Sequence, residues 1–221
     1  MMNNLFMIFD PSSVIKLPLN WMTSILMLLM LPLNFWMIPS RMMMINWMLI
    51  KFLMNELKMI LKKNNLIIFF ISLFFFFMFN NFMGLFPYIF TSTSHLSTNL
   101  TFSLPIWVAL MMYGWLNNYN HMFSHLIPQG TPSILMPFMV LIETTSNIIR
   151  PMTLAVRLTA NMIAGHLLLN LLSSLKNNLP IQFLPILILT QIILITLEMS
   201  VAIIQSYVFM ILTSLYSSEI N

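Results

Sequence analysis

One arginine, two acids and a histidine sit inside stretches of sequence that are otherwise almost wholly apolar. Arg157 lies in the middle of the run from Ile134 to Leu172, far from any end that would let its head reach water. A guanidinium does not lose its proton in a protein, so the group stays charged. Holding it at mid-bilayer costs ~2.5–3.5 kcal/mol on insertion scales. A membrane helix keeps such a residue only against a partner, a cavity or an ion path. Glu143 and Arg150 precede it, and Asn161 and His166 follow. At about 100° per residue, Glu143, Asn147, Arg150, Arg157 and Asn161 fall on one helix face, within about 80° of one another. His166 lies about 180° round from Arg157 and ~13 Å further along. Later in the chain Gln191, Glu198 and Gln205 form a second polar stripe at seven-residue spacing. Imidazole exchanges protons readily near neutrality. Together these groups have the chemistry of a proton-handling track through a membrane.

The elements that must position them follow from composition. The chain has 221 residues, 59% hydrophobic and only 6% charged, with a mean hydropathy of +0.90. Soluble domains carry roughly a quarter charged residues, so this is an all-α polytopic membrane protein. Nine basic residues, scattered and few, exclude a nucleic-acid surface, and the absence of cysteine excludes disulfides and thiolate metal sites. The 24 methionines fit either a genetic code with extra Met codons or lipid-facing filler. No phosphate loop, nucleophile elbow or metal cluster is present, so no cofactor and no soluble catalytic site is expected. Nor does the N-terminus resemble an Arg-rich, Ser-rich leader.

Six helical segments are predicted. The first runs from Trp21 to Ile38, with Pro32 as a kink. The second, Arg41 to Lys63, carries Lys51, Asn55, Lys58 and Lys62 as one polar stripe among Met, Leu, Ile and Phe, the pattern of a helix lying on a membrane surface. Spans from Leu66 to Phe86 and from Leu100 to Trp115 are separated by a polar loop, Thr91 to Asn99. A second polar loop covers Asn117 to Thr131. The last two segments, Ile134 to Leu172 and Ile181 to Tyr216, would be ~58 and ~54 Å long, against a hydrocarbon core of ~30 Å. They must tilt steeply or kink, as Pro151 allows. The expected architecture is about five membrane crossings plus one interfacial amphipathic helix, ending in two long tilted helices as an antiparallel hairpin. It forms a single integral membrane domain over 1–221: first span and interfacial helix in 1–65, hairpin and loop in 66–133, tilted hairpin in 134–221.

Orientation and register follow. Five of the nine Lys and Arg lie between Arg41 and Lys63, which puts that segment on the cytoplasmic or matrix side. The N-terminus is then outside and the C-terminus inside. With the two long helices antiparallel about a turn near Ile181, Arg157 lies level with Gln205, and His166 level with Glu198.

The run Pro151-Met152-Thr153-Leu154-Ala155-Val156-Arg157-Leu158-Thr159-Ala160-Asn161, followed by Gly165-His166, resembles the signature of subunit a of F-type ATP synthases. The opening Asn4-Leu5-Phe6 and Phe9-Asp10-Pro11-Ser12 resemble its animal mitochondrial branch. The resemblance covers essentially the whole chain. It implies that Arg157 is the essential arginine facing a ring of c subunits, with Asn161 and Gln205 near it. It implies that His166 and Glu198 are the family's inlet pair in its mitochondrial arrangement, and that Glu143 is the acid of the matrix-side exit. The implied function is proton translocation through two offset half-channels, driving ring rotation and ATP synthesis in the mitochondrial inner membrane. The chain itself would be non-catalytic. Implied partners are the c ring, other membrane-sector and peripheral-stalk subunits and membrane lipid, with no nucleic acid.

Plainer readings stand beside several of these. Arg150 and Glu143 are also placed to form a structural ion pair. Asn161 and Gln205 would serve equally as interhelical hydrogen-bonding groups. His121 and His125 have the i, i+4 spacing of metal ligands but no third ligand, which favours a surface role. Asn99-Leu100-Thr101 is a glycosylation sequence at the mouth of a span, where it has no use. A haem carrier would need paired mid-membrane histidines, and a secondary transporter would show inverted repeats; neither is found.

Overall fold

The computed structural model describes residues 5–12, 18–25, 38–61, 64–86, 89–127, 132, 134–175 and 180–220. Among them the chain is helical, without a strand. Six α-helices follow in order: α1 Arg41–Ile60, α2 Asn64–Gly84, α3 Leu96–Asn117, α4 Tyr119–Leu126, α5 Met136–Leu175 and α6 Leu184–Ile220. Helices α2, α3, α5 and α6 are long and apolar enough to cross a membrane. Most of the expected first span, Trp21 to Ile38, lies outside the described residues, as do Lys62 and Lys63.

Two loop expectations are corrected. The first polar loop is shorter than Thr91 to Asn99. Ser92–Ser94 form a buried 3-10 turn, and α3 starts at Leu96. The cause is local hydrogen bonding: Asn99 Nδ2 donates to the Thr93 carbonyl at 2.8 Å and Thr98 Oγ1 to the Ser92 carbonyl at 2.7 Å. Side chains in the opening turns of α3 thereby satisfy the turn before it, and the polar residues are folded in rather than left in water. The buried Asn99 amide is thus no glycan acceptor. In the second loop, Asn118 breaks the helix and α4 follows at once, carrying His121 and His125 on an exposed turn.

The two long helices are continuous. Helix α5 has 40 residues and α6 has 37, about 60 and 56 Å at 1.5 Å per residue. Pro151 lies inside α5 without ending it. The core is where the Phe-rich helix α2 meets α1, α5 and α6. Phe70, Phe74 and Phe77 pack with Leu53 and Leu57 of α1, Leu154 and Leu158 of α5, and Phe209 and Met210 of α6. The Phe77 and Phe209 rings are 4.4 Å apart between centroids.

Helix α6 reaches that core with small residues: Ala202, Ser206, Thr213, Ser214 and Ser217 are all buried. Close backbone approach of this kind replaces the hydrophobic drive that lipid does not supply. Their hydroxyls donate to carbonyls of their own helix, as Ser206 does to Ile203 at 2.8 Å and Ser214 to Ile211 at 2.8 Å. They therefore cost no unsatisfied group in the apolar interior.

Candidate functional site

The site is built on α5 and α6. Along α5 the inward residues are Pro151, Leu154, Ala155, Leu158, Thr159 and Met162, all buried. The opposite stripe, Thr153, Val156, Arg157, Ala160, Asn161 and Ala164, is exposed. Helical periodicity alone makes this division. It turns Arg157 out of the chain, in the middle of a membrane-length helix, with no hydrogen bond, ion pair or ring contact to any described residue. Asn161 stands one turn on, on the same face. Gln205 is buried at 7% exposure and is not bonded to Arg157, so the two share neither a bond nor a surface.

The other half of α5 meets α6. A Cβ built on Gly165 would lie 2.8 Å from Glu198 Oε1, 2.9 Å from its Cδ and 3.1 Å from its Cγ. The carboxylate therefore rests on the Gly165 backbone, in the space that any other residue would fill. This places Glu198 against the residue next to His166, within one position of the expected register. Glu198 is 8% exposed, and both its oxygens and His166 Nε2 are buried without a hydrogen-bond partner among the described residues. Buried polar atoms are paired in nearly all proteins. Asn81, Thr93, His95, Asn99 and Ser103 also carry unpaired buried atoms, but among the described residues only at Gly165 do an unpaired carboxylate and an imidazole flank one helix contact.

The N-terminal segment reaches His166. Phe9 sets its ring edge-on to His166, with centroids 6.4 Å apart. A turn follows it: Asp10 Oδ1 accepts from the Ser12 backbone N–H at 3.0 Å and from Ser12 Oγ at 2.9 Å. These two donors hold the Asp10 carboxyl below its ordinary pKa. Asn20 Nδ2 donates to the Asp10 carbonyl at 3.3 Å.

A second polar centre lies toward the C-terminal end of α6. Arg150 approaches Glu219 Oε2 at 3.0 Å and Glu143 Oε1 at 3.6 Å, with its guanidinium carbon 5.2 Å from the centre of the Tyr216 ring. Asn118 Nδ2 donates to the Ile220 carbonyl at 3.1 Å and fixes the same end of α6. A small cavity borders this cluster, lined in part by His125, Asn147, Arg150, Tyr216 and Glu219. Glu219 is the residue that sequence reasoning passed over. It continues the stripe of Gln191, Glu198 and Gln205 by two further steps of seven, interrupted by Leu212, and that spacing was the signal.

The six expected site residues thus fall into three places. His166 and Glu198 flank the α5–α6 contact at Gly165. Glu143 joins Arg150 and Glu219 near the C-terminal end of α6. Arg157 and Asn161 stand on the open face between them, and Gln205 lies buried on α6. Among the described residues no cluster of three metal-ligating side chains occurs.

Comparison with known proteins agrees with this architecture. Residues 17–218 match the family model described as ATP synthase A chain. The chain is 56% identical over 224 residues to ATP synthase subunit a of Drosophila simulans. It is 55% identical over 228 residues to that of Anopheles quadrimaculatus and 54% identical over 227 residues to that of Locusta migratoria. Each comparison covers 100% of both chains. The chain belongs to the ATP synthase A chain family.

Proposed function

We propose that this chain carries protons between the two sides of the membrane and a rotating partner, as the non-catalytic membrane-sector subunit a of an F-type ATP synthase. The relatives bear that subunit's name, and they are insect proteins, which fits the mitochondrial inner membrane as the compartment. Multiple apolar spans fit the same assignment. On this reading the N-terminus faces the intermembrane space and the cationic α1 faces the matrix.

Protons enter at the buried His166–Glu198 centre and pass to a carboxylate of a c subunit. That carboxylate can face lipid only when neutral. After the ring has turned, the proton leaves through the centre of Glu143, Arg150 and Glu219. Arg157, with Asn161 beside it, stands between the two centres. It holds an ionised ring carboxylate for an instant and, as a fixed cation, blocks a direct leak. Gln205 lines the path from α6. The driving force is ~2.3 kcal/mol per charge per 100 mV.

The observation that carries this reading is the exposed guanidinium of Arg157 with no partner among the described residues. A permanent charge in that position is kept against a partner, a cavity or an ion path, and an acidic group on a neighbouring subunit would supply the partner. The c ring, together with further membrane-sector and peripheral-stalk subunits, is the proposed set of partners. The test is Arg157→Ala in the assembled synthase. Proton-driven ATP synthesis should disappear while the complex still assembles, and synthesis at the wild-type rate would refute the role. Arg157→Lys should restore little, because an ammonium lacks the delocalised fork.

A further inference from the structure

Helix α1 divides into three faces, and one of them has no function in the proton path. At about 100° per residue, Leu53 and Leu57 point to the core, while Ile45, Met48, Phe52 and Met59 form a second face roughly 130° away. Lys51 and Lys58 form a third, about 100° beyond that. The structure bears out this division. Leu53 and Leu57 are buried, whereas Phe52 is 59% and Met59 90% exposed, and both lysines are exposed. Lys51 Nζ lies 4.7 Å from the centre of the exposed Trp47 ring, on the same side. The one acid of the helix, Glu56, takes no part in this face, because its carboxylate accepts the Tyr207 hydroxyl at 2.9 Å. The segment from Arg41 to Lys63 holds five cations against that one carboxylate, an excess of four that equals the net charge of the whole chain.

We propose that α1 is a docking surface for anionic phospholipids of the leaflet on its own side. The apolar face of Ile45, Met48, Phe52 and Met59 meets acyl chains. Lys51 and Lys58, seven residues apart on one side and so ~10 Å apart along the axis, contact phosphate groups, with Trp47 at headgroup depth. Charge complementarity selects the lipid: two lysines at the surface give an anionic-over-zwitterionic preference of roughly 30-fold at low salt. This inference rests on the geometry of α1 and is independent of the route taken by protons.

The test uses the assembled synthase in nanodiscs and the fluorescence of Trp47, isolated as the difference between wild type and Trp47→Phe. Phosphatidylglycerol and phosphatidylcholine with brominated chains are compared as quenchers at equal mole fraction. The anionic lipid should quench at much lower mole fraction, and the preference should fall toward parity in Lys51→Gln/Lys58→Gln while quenching by phosphatidylcholine persists. Rising salt should narrow the preference in the wild-type complex as well, a readout that needs no variant to assemble. Equal quenching by both lipids at low salt would overturn the proposal. Absence of quenching by either would also overturn it, since a neighbouring protein would then cover the face.

Discussion

Gly165 sets the geometry of the proposed inlet centre more tightly than either ionisable group does. With a carboxylate oxygen 2.8 Å from where a Cβ would stand, alanine there must push Glu198 away by several tenths of an ångström. Misplacing a reacting group by ~1 Å costs up to about 100-fold in rate. Gly165→Ala should therefore assemble normally yet lower proton-driven ATP synthesis by roughly ten- to a hundredfold. Synthesis at the wild-type rate in inverted vesicles would show that Glu198 need not touch this backbone. The identity of the ionisable residues was legible in the sequence, because an ionisable group in an apolar run is conspicuous. The partnership of Gly165 with Glu198 was not. A glycine next to a histidine carries no sign of what fills its missing side chain.

At the level of elements, the far end of α6 is tied to the rest of the chain by polar contacts: Glu219 to Arg150 and the Ile220 carbonyl to Asn118. Both partners of the ion pair are about a third exposed or more, with side-chain exposures of 29% and 43%. Such pairs contribute at most about 1 kcal/mol. Glu219→Gln should accordingly raise amide exchange in the last two turns of α6 by up to about fivefold, with exchange around Gly165 unchanged. No change in those turns, measured by mass spectrometry, would show that the pair holds nothing. The same helices show what patterning can and cannot reveal. The lengths and antiparallel register of α5 and α6 followed from apolar runs and one turn. The 3-10 turn at Ser92–Ser94 and helix α4 did not, since short polar stretches read as loop until side chains such as Asn99 find specific carbonyls. Helix α5 runs on through Pro151, where the sequence allows a kink, and a kink would leave the helix continuous.

The whole molecule is asymmetric in a way that a self-contained bundle would not be. Helices α5 and α6 bury a seam of small residues toward α2 and α3, and turn outward a broad, largely apolar surface in which Arg157 stands. Two alanines on α5 separate the two sides. Ala155 is 0% exposed, and Ala160, five residues on, is exposed beside Arg157. Tryptophan at Ala155 overpacks the interior, which costs at least about 1–3 kcal/mol, and the chain should fail to accumulate. Ala160 is exposed among the described residues, so tryptophan there should insert and accumulate like wild type. If a moving ring of acidic partners sweeps across this face, the same indole blocks it, and ATP synthesis should be lost although the subunit is present. Immunoblotting and synthesis rates measured on the two variants separate the cases. Full synthesis with Ala160→Trp would mean that the face is open to lipid, and Arg157 would then have to find its counter-charge somewhere other than a rotor.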